Sequence, residues 1–274
     1  MSSALFKGAK HAKLYSQFRP YPPRELIETI ITYMKEKIKL EPPFCKAIDI
    51  GCGSGQSTFV LSQHFKSLLG VDVSEAQIKC AQEIHALPNI EYKVSEGDNL
   101  PVLSSSVQLV TLCQSIHWFV PLDNLYKEIR RILIPGGVVA AYGYWIPLPK
   151  TDDNKKNSEI YKCVFDYCHE EKLGAYWDKE RYIVQNKYTD VNFPFLNQKR
   201  VELVNESESS LADYIGYLST WSSYQKLSRE HPDQASELLP EIEERLKEIL
   251  GSKDTSEKIQ LKLHTDYFML IGHQ

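Results

Sequence analysis

The clearest chemistry-bearing pattern in this 274-residue chain is Ala47-Ile48-Asp49-Ile50-Gly51-Cys52-Gly53-Ser54-Gly55, an apolar run that ends in three alternating glycines just before a helical pattern. Glycine turns tightly and lets backbone approach a ligand with no side chain between. Asp72 closes the next apolar run, 21 residues beyond Gly51, the spacing at which a carboxylate takes the two hydroxyls of a ribose. Two kinds of nucleoside ligand compete for such a seat. A dinucleotide asks for Gly-x-Gly-x-x-Gly, with its pyrophosphate on the helix N-terminus, but Gln56 stands where that third glycine would fall. A sulfonium nucleoside carries positive charge and no phosphate, so a loop followed by acidic groups suits it better. The spacing therefore favours the sulfonium. The purely structural reading is a tight strand-to-helix turn, with Asp72 capping the helix that follows.

Composition narrows the rest. With 32 Lys+Arg against 36 Asp+Glu the formal net charge is -4, which excludes a generally basic nucleic-acid binder. At 42% hydrophobic and 25% charged, the chain can bury a globular core. No run approaches the roughly 18 apolar residues of a membrane-spanning helix. The N-terminal Lys7, Lys10, His11, Lys13 and Arg19 enclose no apolar core like that of a signal peptide. A cytoplasmic, monomeric protein with no membrane or nucleic-acid partner is expected. Cys45, Cys52, Cys80, Cys113, Cys163 and Cys168 form no Cys-x-x-Cys pair, which argues against a zinc module or a disulfide framework, so no metal is expected.

The elements that must position the loop follow from periodicity. From Pro22, Leu26, Ile27, Ile30, Ile31, Met34 and Ile38 recur at helical spacing to about residue 40. Strands are expected over 46–50, 67–72, 90–94, 107–113 and 138–144, with helices over 56–65, 75–85 and 121–133 between them. This alternation implies a parallel sheet. Ser74 is a good N-cap for the helix beginning at Glu75, and Pro135-Gly136-Gly137 reads as a turn. A polar stretch over 149–157 leads into an inserted region with helices near 211–221 and 237–250. Two further strands, over 200–204 and 261–271, raise the total to seven.

The loop, Gly70-Val-Asp-Val-Ser74, Asn99-Leu-Pro101, His117-Trp118 and Pro135-Gly-Gly137 together resemble the class I S-adenosylmethionine-dependent methyltransferases. More narrowly, Tyr15-Ser-Gln-Phe-Arg19-Pro-Tyr-Pro22, Gly174-Ala-Tyr176-Trp177 and the run from Asp213 to Tyr224 are similar to the trans-aconitate methyltransferase-like branch. The resemblance implies an α/β, Rossmann-like, doubly wound seven-stranded sheet with its last strand antiparallel and a helical lid insertion. It implies a lid segment and helix over 1–40 and a donor-binding core over 41–148. A mainly helical substrate lid over 149–260 would carry the strand near 200–204, and 261–274 would supply the last strand. S-Adenosyl-L-methionine is the expected cofactor. By resemblance, the Gly51 to Gly55 loop, with Cys52 and Gly53, contacts the donor's amino-acid part and Asp72 its ribose, and Tyr15, Asp49 and Val73 also bind the donor. Glu96-Gly97-Asp98 would follow the adenine edge, with either Glu96 or Asp98 accepting from the exocyclic amine, and Gln114-Ser115 would close the site below the sulfonium.

On the acceptor side, Arg19 and Arg181 have the fork that meets a carboxylate with two hydrogen bonds, and Arg19 could instead serve the donor's own carboxylate. His117 and Trp118 follow a strand end, where open α/β sheets bind ligands. His117 could orient or deprotonate a hydroxyl or amine acceptor. Trp177, Trp221, Tyr214 and Tyr224 would form an apolar lid with polar tips, with Tyr176 also expected at the substrate, and a lipophilic acid fits such a lid as well as a polyacid. The expected activity is methyl transfer to a small molecule, on a carboxylate oxygen. Its rivals are a non-catalytic S-adenosylmethionine-binding partner or sensor, and a nicotinamide dehydrogenase, which the residue at 56 disfavours.

Overall fold

The computed structural model describes residues 9–274; the first eight residues of the expected lid segment, Lys7 among them, lie outside the described residues. Helix α1 (Ala9–Phe18) precedes α2 (Arg24–Ile38), whose Leu26, Ile27, Ile30 and Met34 form one buried face. The α2 helix stops at Lys39, which takes a left-handed φ of 59°. Truncating a side chain as enclosed as Ile30 (0% exposed) to alanine costs about 2–5 kcal/mol.

The expected alternation then appears. Strand β1 (Phe44–Ile50) leads through the glycine loop to α3 (Gln56–Leu61), β2 (Phe65–Asp72), α4 (Glu75–Ile84) and β3 (Ile90–Val94). Next come β4 (Val107–Cys113), α5 (Asp123–Ile132) and β5 (Leu133–Tyr144). The helix expected over 56–65 is cut short because Ser62–His64 tightens into a 3-10 turn before Phe65 enters β2. Ser74 caps α4 by accepting a 3.3 Å hydrogen bond from the Gln77 amide.

The distal half adds β6 (Leu148–Lys150), α6 (Asn154–Tyr161), a π-helical continuation over Lys162–Lys172, and α7 (Arg181–Gln185). Then follow β7 (Leu196–Ser210), α8 (Leu211–Ser219), α9 (Ser222–Glu230), α10 (Pro232–Leu250) and β8 (Gln260–His273). None of the described helices is long and apolar enough to cross a membrane.

The sheet runs β3-β2-β1-β4-β5-β8, with β6 and β7 also paired to β8. Strands β1 to β5 are parallel, and β8 is antiparallel to β5, β6 and β7. Eight strands therefore stand where seven were expected. The extra one, β6, is three residues long, too short to show a period of two. The β7 strand is 15 residues long rather than five, and its residues are mostly exposed or half-buried, so an edge strand hides from a reading that looks for buried alternation. The turn at Pro135–Gly137 sits within β5, where the pairing with β4 shifts register between Val107 and Leu109.

Both faces of the central strands are covered. Leu109, Ala140 and Tyr142 pack with α2 and the distal helices, while Val110, Val139 and Ala141 pack with Ile129 and Ile132 of α5. Because β1, β2, β4 and β5 run parallel, the loops after them meet at one edge, where a sheet of this kind binds ligands.

Candidate active site

Two adjoining cavities open at that edge, enclosing about 950 and 730 Å³. Tyr15, Arg19, Gln114, Trp118 and Tyr144 line both and so form the wall between them.

The first chamber lies over the glycine loop. The Gly51 and Cys52 amides donate to the Val71 carbonyl at 2.8 and 3.0 Å, which pins the loop to β2. A Cβ on Gly51 would lie 2.5 Å from Ser115 Cβ, so that glycine exists for close packing. Gly53, at φ +55°, would present a Cβ only to Tyr15, at 3.7 Å, and lines the chamber. Gly55 does not line it; a Cβ there would lie 2.6 Å from Tyr92 Oη. Cys52 lines the wall, and burial pushes its thiol up.

Asp72 and Val73 line the same chamber. Asp72 Oδ2 accepts from the Gly53 amide at 3.0 Å and Oδ1 from the Ser74 amide at 2.9 Å. Burial raises the carboxyl above the usual range, against these bonds. Each oxygen keeps acceptor capacity for a hydroxyl.

Asp49 sits elsewhere. It is fully buried, accepts from Thr58 Oγ1 at 2.7 Å and Thr111 Oγ1 at 2.8 Å, and is not part of the lining. Burial pushes its carboxyl up to about 6, and the two hydroxyls oppose that shift. Its place is beneath the loop, tying β1, α3 and β4 together. At the adenine-edge segment, Ser95 and Gly97 line the chamber, whereas Glu96 and Asp98 are exposed and outside the lining. Both carboxylates point away because the buried member of the turn is Gly97, against Phe119.

Gln114 holds a left-handed φ of 51° after β4, and its Nε2 donates to the Tyr144 carbonyl at 2.9 Å. Ser115 Oγ donates to the Ile50 carbonyl at 2.7 Å. Sequence reading missed Gln56, Gln77, Phe119 and Tyr144 as lining residues. Gln56 had a signal: it accepts from Ser54 Oγ at 3.0 Å and donates to the Tyr15 carbonyl at 3.3 Å, so the residue replacing the dinucleotide glycine fastens the loop to α1.

The second chamber takes in Trp118, Trp177, Trp221, His117 and Arg181, but not Tyr176, whose ring lies 6.2 Å from that of His231, nor Tyr214 and Tyr224, whose hydroxyls donate to the Pro147 and Ala235 carbonyls at 2.9 Å. Trp145, His169, Asp178 and Tyr217 line it as well. Ser210 caps helix α8, its hydroxyl accepting from the Asp213 amide at 3.0 Å, and this start carries Tyr217 to the chamber.

Arg181 stacks 5.0 Å above the Trp177 ring, lies 3.0 Å from His169 Nε2, and pairs with Glu170 at 3.3 Å. His169 Nδ1 is 2.8 Å from Glu170 Oε1. A neutral imidazole that donates from Nδ1 and accepts at Nε2 satisfies both contacts, and burial beside Arg181 pushes His169 down to about 3. Burial likewise pushes His117 down to about 3, which makes it a poor general base at neutral pH. The base role open to it in sequence is thus disfavoured.

Arg19 follows α1 and stands in the shared wall. Its Nη1 donates to Tyr144 Oη at 3.1 Å and its Nη2 to the Thr220 carbonyl at 3.2 Å, and its guanidinium lies 4.8 Å from the Tyr15 ring centroid. Nε has no hydrogen-bond partner, and no carboxylate forms an ion pair with Arg19, among the described residues.

The first chamber fits a sulfonium nucleoside. Asp72 is the one carboxylate and Arg19 the one side-chain cation in its described lining, a poor match to a pyrophosphate and a good one to a cation bearing a ribose.

The comparisons agree. Residues 48–141 match the family model of a methyltransferase domain. A protein of Dictyostelium discoideum named as a methyltransferase is 32% identical over 249 residues, covering 90% of this chain and 88% of the relative. Trans-aconitate 2-methyltransferase of Deinococcus radiodurans is 33% identical over 138 residues, 50% of this chain and 49% of that one. A solved structure from Anaeromyxobacter dehalogenans, described as a type II methyltransferase, superposes with a TM-score of 0.73 at 28% identity, covering 93% of this chain and 98% of that one. This chain belongs to the class I S-adenosylmethionine-dependent methyltransferases, and S-adenosyl-L-methionine is its cofactor.

Proposed function

We propose that the enzyme methylates a carboxylate oxygen of a small-molecule acid held in the second chamber. The observation that carries this reading is Arg19, a guanidinium with no acid partner among the described residues, in the wall common to both chambers. A carboxylate docked there brings its own negative charge to a buried cation.

A carboxylic acid is already ionised at neutral pH, so the reaction asks for no general base. That agrees with two chamber histidines held neutral by burial. When bound, S-adenosylmethionine supplies an electrophilic methyl group for an in-line displacement. The Gly51–Gly53 backbone and Tyr15 would hold the amino-acid end of the donor, and Asp72 its ribose. Gln114 and Ser115 would close the floor, and the Ser95–Gly97 backbone would follow the adenine. Arg19 orients the acceptor, while Trp118 and Tyr144 exclude water from the junction. Positioning of this kind is worth roughly 7–11 kcal/mol of barrier.

All six cysteines are free thiols, which suits a reducing compartment such as the cytoplasm. One chain lines both chambers, so a monomer suffices.

The test is transfer of radiolabelled methyl from the donor to a panel of acids, phenols and amines. Label in a product that mild base hydrolyses supports the ester; label confined to base-stable products overturns it.

A further inference from the structure

Building on the carboxylate reading, we infer that the second chamber selects an acid with one carboxylate and an apolar, ring-sized body, and rejects polycarboxylates. The chain has four tryptophans, Trp118, Trp145, Trp177 and Trp221, and all four line this one cavity. They come from four separate stretches, two at the sheet edge and two in the inserted region, so local sequence does not explain the coincidence. Trp177 and Trp221 lie 5.6 Å apart, and the His169 ring bridges Trp145 at 5.6 Å and Trp177 at 4.8 Å. Ile146 and Val184 extend the apolar wall. Such a surface gains by covering hydrocarbon or an aromatic ring, and offers little to an ionised group.

Charge limits the acceptor further. The cations in the described lining are Arg19 and Arg181, and Arg181 already faces Glu170 at 3.3 Å. Asp178 adds a carboxylate to the same wall, with Oδ2 lacking a hydrogen-bond partner among the described residues. One cation is therefore left for one anion. A second or third carboxylate would lie against indole or beside Asp178, stripped of water without a partner. Because Arg19 stands at the donor end, the single carboxylate is drawn toward the junction and the apolar body into the tryptophan-lined space.

The clustering also supplies the readout, since every tryptophan reports on this cavity. With S-adenosylhomocysteine present, tryptophan emission is titrated with decanoate, 4-phenylbutyrate and cyclohexaneacetate, and in parallel with citrate and tricarballylate at equal ionic strength. The expected result is a saturable emission change with at least one monoacid, half-saturating at a concentration tenfold or more below either polyacid. The methyl ester of that monoacid should bind at least tenfold more weakly than the acid. A polyacid that saturates at equal or lower concentration, or silence from all three monoacids, overturns the inference. The two readings fail separately. Base-labile methylation of citrate but of no monoacid removes the monoacid selection and leaves carboxylate methylation standing, whereas exclusive labelling of amines or phenols removes carboxylate methylation itself.

Discussion

The Gly53 amide donates a 3.0 Å hydrogen bond to Asp72 Oδ2, which joins the loop after β1 to the acid at the end of β2. Donor recognition therefore rests on one unit built from two strand ends. Asp72→Ala should weaken S-adenosylhomocysteine binding by about 1.5–3 kcal/mol, the range for a hydrogen bond to a charged group. Titration calorimetry on the folded variant measures it, and unchanged affinity would refute the ribose role of Asp72.

The loop glycines should separate by function. Gly55 sits at φ +93°, and a Cβ there would lie 2.6 Å from Tyr92 Oη. Gly55→Ala should cost about 1–3 kcal/mol of stability and lower the melting temperature, with part of the loss recovered in a Tyr92→Phe background. Gly53→Ala meets only Tyr15 at 3.7 Å and should lose donor affinity more than stability. Melting curves and calorimetry on both variants check the contrast, which equal effects on both quantities would contradict.

Asp49 should make stability depend on pH. Burial raises its carboxyl from 3.8 to about 6, so the folded state holds this proton more tightly than the unfolded chain does. The resulting stabilisation is complete below about pH 4 and is lost as pH rises through 6, amounting to at most about 3 kcal/mol at 1.36 kcal/mol per unit. Asp49→Asn should flatten the fall in melting temperature between pH 4 and 7. A profile parallel to that of the unmutated protein would place the shift elsewhere.

Arg19→Ala tests which carboxylate this guanidinium serves. Loss of a charged hydrogen bond of roughly 1.5–3 kcal/mol should raise the acceptor KM about 10- to 150-fold while leaving the donor affinity within a few-fold. The opposite split would assign Arg19 to the donor's amino-acid end.

His117, pushed down to about 3 by burial, should contribute no limb to the pH profile of kcat/KM above pH 5. The check is to compare the profiles of the unmutated enzyme and His117→Gln. A limb near pH 6.5 that vanishes in the variant would restore the general-base role.

Much of the donor chamber was legible from residue order because its parts are local. A buried strand, a turn whose positive φ at Gly53 and Gly55 favours glycine, and an acid one strand away are all set by short-range sterics and by hydrophobic spacing. Asp49 shows the limit of that reading: the motif names it, but hydroxyls from Thr58 and Thr111 draw it beneath the loop. Glu96 and Asp98 show it again, since the turn at Gly97 buries the glycine and leaves both acids exposed.

The acceptor chamber belongs to the tertiary structure. No periodicity links Arg19 to Tyr144, or Trp118 to Trp221, and the exclusion of Tyr176 beside an included Trp177 depends on where one 3-10 turn faces. Neighbours along a chain share a backbone and obey its geometry, so they can be read in order. Side chains that share a cavity meet only after the sheet, α1 and the inserted helices have packed, and that meeting decides which charges remain unpaired.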